Sequence, residues 1–133
     1  MCIVLYAGTD RPLPLPAWGP AGRYIGVHES QHTPDIVALF SKPYVYAIGT
    51  RLTGDGCGFQ GDHKEARHAR EELAELFERA LERMPELELF VAWDDFGDSG
   101  VRPTSFDWIG PSDIRTWISG FKPDKFLLVI RED

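Results

Sequence analysis

The chain has few cysteines, few basic residues and no long apolar run. Its two cysteines, Cys2 and Cys57, lie far apart without a CxxC spacing. We therefore expect neither a disulfide framework nor a cysteine-rich zinc site. No apolar run reaches the roughly 20 residues that a bilayer-spanning helix needs. This composition is typical of the reducing cytoplasm, and we expect the protein to be located there.

Positive charge is scarce. The 133 residues include 14 Lys and Arg against 21 Asp and Glu, which gives a net charge of −7. Non-specific nucleic-acid binding depends on basic patches, so we expect no nucleic-acid partner. Anionic membrane surfaces are disfavoured for the same reason. The apolar residues, 43% of the chain, suffice for a packed core, and the length favours a single globular domain over residues 1–133.

The pattern of apolar residues predicts an α/β fold, with α+β as the alternative. We expect one mixed sheet of about five to six strands, covered by one long and two short helices. A turn-like segment at 96–100 would close a hairpin between the fourth and fifth strands. The last helix is expected to end at Gly120. The predicted strands are 2–7, 23–29, 44–48, 87–93, 104–108 and 125–130.

The long helix has the strongest pattern. Asp62 and Glu65 have the spacing of a capping box, which predicts the start of the helix at this point. Pro85 ends it. One apolar stripe recurs at helical spacing and would face the core: Ala66, Ala69, Leu73, Leu76, Phe77, Ala80, Leu81 and Met84.

A glycine-rich loop before this helix is the main candidate site. Glycine allows positive φ and close backbone approach, and a helix N-terminus favours anions. The predicted ligand-binding residues are Gly54, Gly56, Cys57, Gly58 and Gly61. Residues 56–61 also match G-x-G-x-x-G, but the glycines do not follow the strand directly and the next acidic pair lies too far along. We expect a small anionic ligand or a purely structural turn, and no cofactor.

Two thiols are candidate nucleophiles. Cys57 lies near the predicted helix N-terminus, which favours the thiolate, and His63 could act as its base. Removal of Met1 would make Cys2 an N-terminal nucleophile, whose own amine could be the base. A cysteine at this position also occurs in class II amidotransferases and in SRAP proteins, but no further motif of either accompanies it. Buried structural cysteines are the alternative.

No metal site is expected. The segment from His28 to His32 reads H-E-x-x-H, which chelates zinc only on a helix. The segment at 23–29 is predicted as a strand, which would hold the two histidines about 13 Å apart. Three carboxylates, Asp94, Asp95 and Asp98, lack the spacing of a calcium loop.

The chain resembles a group of small uncharacterised bacterial proteins. The similarity rests on Met1-Cys2, Leu5-Tyr6, residues 12–14, residues 40–46 and the run Cys57-Gly58-Phe59. The loop of that group often contains a second cysteine. This chain has Asp55 at that place, which weakens any paired-thiol or metal function. The resemblance implies that the loop is the place to examine, and it implies no activity.

Three functions remain open from the sequence. The first is a ligand-binding or regulatory module that uses loop 54–61. The second is a thiol-dependent enzyme using Cys57 or Cys2. The third is an acidic, immunity- or antitoxin-like interaction protein, whose charge would meet a basic partner. The four tryptophans are expected in core and rim packing, with a shared aromatic patch for a partner as the alternative.

Overall fold

The computed structural model describes residues 3–13, 24–29, 34–51, 56–93, 103, 105–117, 120–122 and 124–132. Six strands form one mixed sheet in the order β2-β3-β1-β4-β6-β5. The strands are β1 (Ile3–Thr9), β2 (Ile25–Glu29), β3 (Tyr44–Thr50), β4 (Glu86–Trp93), β5 (Ser105–Ile109) and β6 (Lys125–Ile130). Three α-helices accompany them: α1 (Pro34–Leu39), α2 (Lys64–Leu81) and α3 (Pro111–Arg115). The predicted α/β fold with a single mixed sheet is confirmed.

Strand β1 lies in the interior of the sheet. It pairs antiparallel with both β3 and β4, so β3 and β4 run in the same direction on either side of it. Leu5 and Ala7 are fully buried on one face, and Tyr6 is 5% exposed on the other. A strand that is covered on both faces reads as a continuous apolar run, which is why the sequence marks β1 clearly.

The predicted hairpin between the fourth and fifth strands is wrong. Strand β6 lies between β4 and β5, antiparallel to β4 and parallel to β5. The reason is hydrophobic: β6 buries Leu127 and Val129 completely. Strand β5 contains Asp107 and two exposed aromatic residues, which suit the edge of a sheet better than its interior.

Helix α2 buries the predicted apolar stripe, but its start differs from the prediction. The N-cap is His63, whose Nδ1 accepts a hydrogen bond from the backbone N–H of Ala66 at 3.2 Å. The Asp62–Glu65 capping box is therefore wrong. Gly61, at φ 91°, turns the chain just before the helix. Glu65 faces Arg51 instead, with 3.9 Å between carboxylate and guanidinium.

Helix α3 is shorter than predicted. It ends at Arg115 with Thr116 as C-cap, not at Gly120. Its first turn is fixed by Asp113, whose carboxylate accepts from the Gly110 N–H at 2.9 Å.

The helices divide the sheet into two unequal faces. We call the side packed by α2 and α3 the α2 face, and the side packed by α1 the α1 face. The α2 face holds the larger core, with Leu5, Phe77 and Leu89 fully buried. The α1 face holds a smaller cluster centred on Tyr6, Ile36 and Phe90.

Candidate functional site

The described part of the glycine-rich loop is a 3₁₀ turn at Gly56–Phe59, which we call the Cys57 turn. One predicted site residue, Gly54, belongs to the segment before it and lies outside the described residues, as does its neighbour Asp55. Gly56, Gly58 and Phe59 are buried. The described loop is thus part of the packed interior rather than an exposed flap.

Gly56 and Gly58 lie where an added side chain would crowd neighbouring groups, most severely at Gly58. A Cβ at Gly56 would come within 3.0 Å of the Ile3 carbonyl oxygen, and a Cβ at Gly58 would overlap the Thr50 side chain. The glycines therefore allow the turn to approach β1 and the end of β3. Their close neighbours are groups of the protein itself, which gives these two residues a packing role.

The carbonyl groups of the loop are held by Arg70, which is only 1% exposed. Its Nη1 donates to the carbonyl oxygens of Phe59 and Gly61 at 2.7 and 2.6 Å. Its Nε donates to the carbonyl oxygen of Arg115 at 3.3 Å. One guanidinium thus joins the loop, α2 and α3. Burial lowers the pKa of Arg70 from its ordinary value, and Asp62 opposes this shift.

Sequence reasoning missed Arg70, although its position carries a signal. It lies in register with Ala66, Leu73 and Phe77, on the stripe that the helix buries. A charged residue inside an apolar stripe needs buried hydrogen-bond partners, which the carbonyl groups of a neighbouring loop can supply.

The Cys57 thiol lies against the start of β1. Its Sγ accepts a hydrogen bond from the Ile3 N–H at 3.3 Å, and the residue is partly buried against the core. Ile3 follows Cys2 directly in the sequence, although Cys2 itself lies outside the described residues. The candidate base is His63, whose Nδ1 accepts the capping hydrogen bond at the start of α2. That nitrogen is therefore not free to accept a proton from the Cys57 thiol.

The remaining metal candidates do not assemble into a described site. His28 lies in β2 opposite Ala47, so its stretch of H-E-x-x-H is strand rather than helix. His32, Asp94, Asp95 and Asp98 lie outside the described ranges. Among the described side chains, no group of three or more His, Cys, Asp or Glu is placed to hold a metal ion. Nor does any described helix combine the length and apolar composition needed to cross a bilayer.

A second candidate surface lies on the α1 face, at the β5 edge. Phe106 and Trp108 are 73% and 67% exposed there. The alternation of β6 places three half-buried residues beside them. We call this surface the aromatic face: Phe106, Trp108, Phe126, Leu128 and Ile130.

The rings of the aromatic face connect to the interior through Phe126. Its ring centroid lies 5.8 Å from that of Phe106, 5.8 Å from that of Phe40 and 6.3 Å from that of Phe90. Phe40 follows α1 and fills the space above Gly8. Helix α1 and Phe40 therefore cover the face up to Phe126, and Phe106 and Trp108 lie beyond this cover.

Two glutamates accompany the aromatic face. Alternation along β4 places Glu86 and Glu88 on the α1 face, opposite Ile130 and Leu128 of β6. Glu88 is 8% exposed, and its oxygens accept from the Ser41 N–H and hydroxyl at 2.9 and 2.8 Å. The carboxylate is thereby fixed at one end of the face.

The tryptophans divide between packing and exposure. Trp117 is partly buried and meets Phe121 edge to face, with 5.1 Å between ring centroids. Trp108 is exposed, Trp18 lies outside the described residues, and only the backbone of Trp93 is described.

A comparison with family models, curated proteins and solved structures finds no match to this chain.

Proposed function

We propose that this protein is an acidic interaction module that binds a protein partner through the aromatic face. The observation that carries the proposal is the exposure of Phe106 and Trp108, at 73% and 67%. Large aromatic side chains lose favourable burial when they face water, and they dominate the binding energy of protein interfaces. Their neighbours on β6 extend them into a continuous apolar surface, which is typical of a binding site.

The glycine-rich loop gives less support to a ligand-binding function. Gly56 and Gly58 approach Ile3 and Thr50, and Arg70 takes up two carbonyl groups of the loop. These contacts account for the glycines without a ligand. A small anion at Gly61 or at the undescribed Gly54 stays a prediction, which a thermal-shift panel of phosphates and carboxylates would test.

The proposed function is tested by comparing wild-type protein with the double variant Phe106→Thr/Trp108→Thr. Threonine preserves β-propensity while removing the aromatic rings. Proteins captured by the wild-type chain are purified and mixed with each variant. We expect the double variant to bind at least about tenfold more weakly, since two interface aromatics are removed.

The matched control is Val37→Thr, an exposed apolar residue of α1 at 43%, which should leave the affinity unchanged. Full binding by a folded double variant would contradict the proposal.

Thiol-dependent catalysis is the competing prediction. Cys57 Sγ lies 3.3 Å from the nitrogen of Ile3, the residue that follows Cys2 in the sequence. Labelling with iodoacetamide, read peptide by peptide across a pH series, measures which thiol reacts. One hyper-reactive cysteine would favour an enzyme, whereas slow labelling of both would favour the interaction module.

A further inference from the structure

The two faces of the sheet are covered to different extents. Helix α2 spans 18 residues on its face and has α3 beside it, while α1 spans six residues. The cluster around α1 comprises residues of β1, β3 and β4, together with Phe126 of β6. Within the described ranges, no helix covers β5 on the α1 face, where Phe106 and Trp108 are exposed.

We infer, building on the proposed function, that the aromatic face receives one basic amphipathic helix of a partner protein. Sheets in folded domains are covered by a second layer, and a helix is the usual cover for an open face. Two neighbouring strands span about 10 Å, which matches the diameter of one helix. Strands β5 and β6 offer that width, beside the place already taken by α1.

The spacing of the aromatic residues also suits a helix. Phe106 and Trp108 lie two residues apart on one strand, so they are separated by about 6.6 Å. Side chains three or four residues apart on a helix lie about 5–6 Å from one another. The apolar stripe of a helix can therefore place successive side chains beside Phe106 and Trp108. The same stripe would also contact Phe126, which lies between these two residues and α1.

The edge of β5 disfavours the addition of a further strand, because one of its backbone N–H groups already has a side-chain acceptor. The Trp108 N–H donates to the carboxylate of Asp107 at 2.8 Å. An added strand would need that N–H, and a carboxylate on an edge strand protects against such pairing. The partner therefore docks on the face of the sheet rather than along its edge.

The charge of the face selects a basic partner. On the α1 face, the residues of β4, β5 and β6 include two charged side chains, and both are carboxylates. Glu88 is buried and accepts from Ser41, whereas Glu86 is partly exposed. The chain as a whole has a net charge of −7. Lysine or arginine on the helix would meet Glu86 at one end of the face, while its leucine-like stripe meets the aromatic rings. Complementary charge also speeds association and makes it sensitive to salt.

The test uses two labelled synthetic peptides of about 18 residues, or roughly five helical turns. Both carry leucine on one helical face; one carries lysine and the other glutamate on the opposite face. Fluorescence anisotropy should show at least about tenfold tighter binding of the lysine peptide. Trp108→Thr and Phe106→Thr should each weaken that binding by about tenfold.

Salt dependence provides a second readout. Glu86→Gln should reduce the effect of salt on lysine-peptide binding, because it removes one carboxylate from the face. The matched control is Glu75→Gln on the exposed side of α2, which should leave the affinity and the salt dependence unchanged. An equal loss in both glutamate variants would assign binding to net charge alone and overturn the inference.

Other outcomes distinguish failure of the inference from failure of the proposed function. Equal binding of both peptides, lost in Trp108→Thr, would overturn the basic helix and leave the interaction module standing. Lysine-peptide binding that survives both aromatic substitutions would contradict both. A wild-type dimer that Trp108→Thr converts to monomer would assign the face to a second copy of the chain. If Trp108 is protected from hydroxyl radicals and Phe96→Ser removes this protection, residues 94–104 of the chain itself cover the aromatic face. Either the dimer or this protection would overturn the inference.

Discussion

The α2 face and the α1 face of the sheet differ in how completely they are covered. On the α2 face, Leu73, Phe77 and Leu89 are fully buried, and the buried Arg70 has carbonyl partners. On the α1 face, burial is complete at Phe90 but ends at the β5 edge, where Phe106 is 73% exposed. The larger buried core thus lies on one face, while the other face leaves large aromatic side chains exposed.

The sharpest test of this difference compares two phenylalanines. Phe77→Ala should cost about 3–5 kcal/mol of unfolding free energy, because it leaves a cavity in the α2-face core. Phe106→Ala should cost about 1 kcal/mol or less, since most of its ring already faces water. Urea denaturation of both variants measures the two losses. A loss at Phe106 equal to that at Phe77 would mean that the folded chain covers the aromatic face itself.

The second prediction concerns the polar centre of the α2 face. Arg70→Leu should cost about 3 kcal/mol, since it leaves the buried carbonyl groups of Phe59 and Gly61 without their donor. The control is Arg67→Ala: Arg67 is 59% exposed in a 3.6 Å pair with Asp62 and should cost about 0.5 kcal/mol or less. Chemical denaturation measures both. Equal losses would contradict the role of Arg70 as the donor to the buried carbonyl groups of the loop.

The sequence predicts the elements of this fold better than their arrangement. The apolar stripe of α2 and the continuous run of β1 are local patterns, so periodicity reveals them. The order of the strands is not local. Residues 96–100 look like a hairpin turn, but nothing near them in the sequence indicates that β6 will enter between β4 and β5.

The candidate site shows the same limit at the level of single residues. Four closely spaced glycines predict close backbone approach, but not whether the neighbour is a ligand or the Thr50 side chain. Asp62 has the stronger N-cap preference, yet His63 caps the helix, and Gly61 turns the chain two residues before this cap. The exposure of Phe106 could not be predicted from the sequence, because it depends on how far the six-residue helix α1 extends over the sheet.

The third prediction tests the corrected start of α2, which anchors the closed face to the loop. His63→Ala should cost about 1 kcal/mol, because the Ala66 N–H loses its side-chain acceptor. Asp62→Ala should cost about 0.5 kcal/mol or less, since its contact with Arg67 is an exposed ion pair. Denaturation of the two variants under one set of conditions measures the difference. The reverse order of losses would return the N-cap to Asp62.

The smallest expected effect lies where the chain leaves β6 and meets α3. The carboxylate of Glu132 accepts from the Ser112 N–H at 2.6 Å and from the Ser112 hydroxyl. The hydrogen bond from the hydroxyl, and then that from the N–H, lowers the pKa of Glu132 below its ordinary 4.5. Because the folded-state pKa is lowered, the stabilisation is present above 4.5 and is lost as the pH falls through the folded-state value.

Glu132→Gln should therefore lower the melting temperature slightly at neutral pH, and the difference from wild type should vanish in acid. The effect stays small because the group is exposed and solvent screens it. Thermal melts across the acid range measure the difference, and Ser112→Ala should reduce the same pH dependence because it removes the hydroxyl donor. A difference from wild type that is equally large in acid would mean that Glu132 contributes by packing around Gly110 rather than by its ionised carboxylate. The contact of the Glu132 side chain with Gly110, and not its charge, would then hold β6 and α3 together at this end of the sheet.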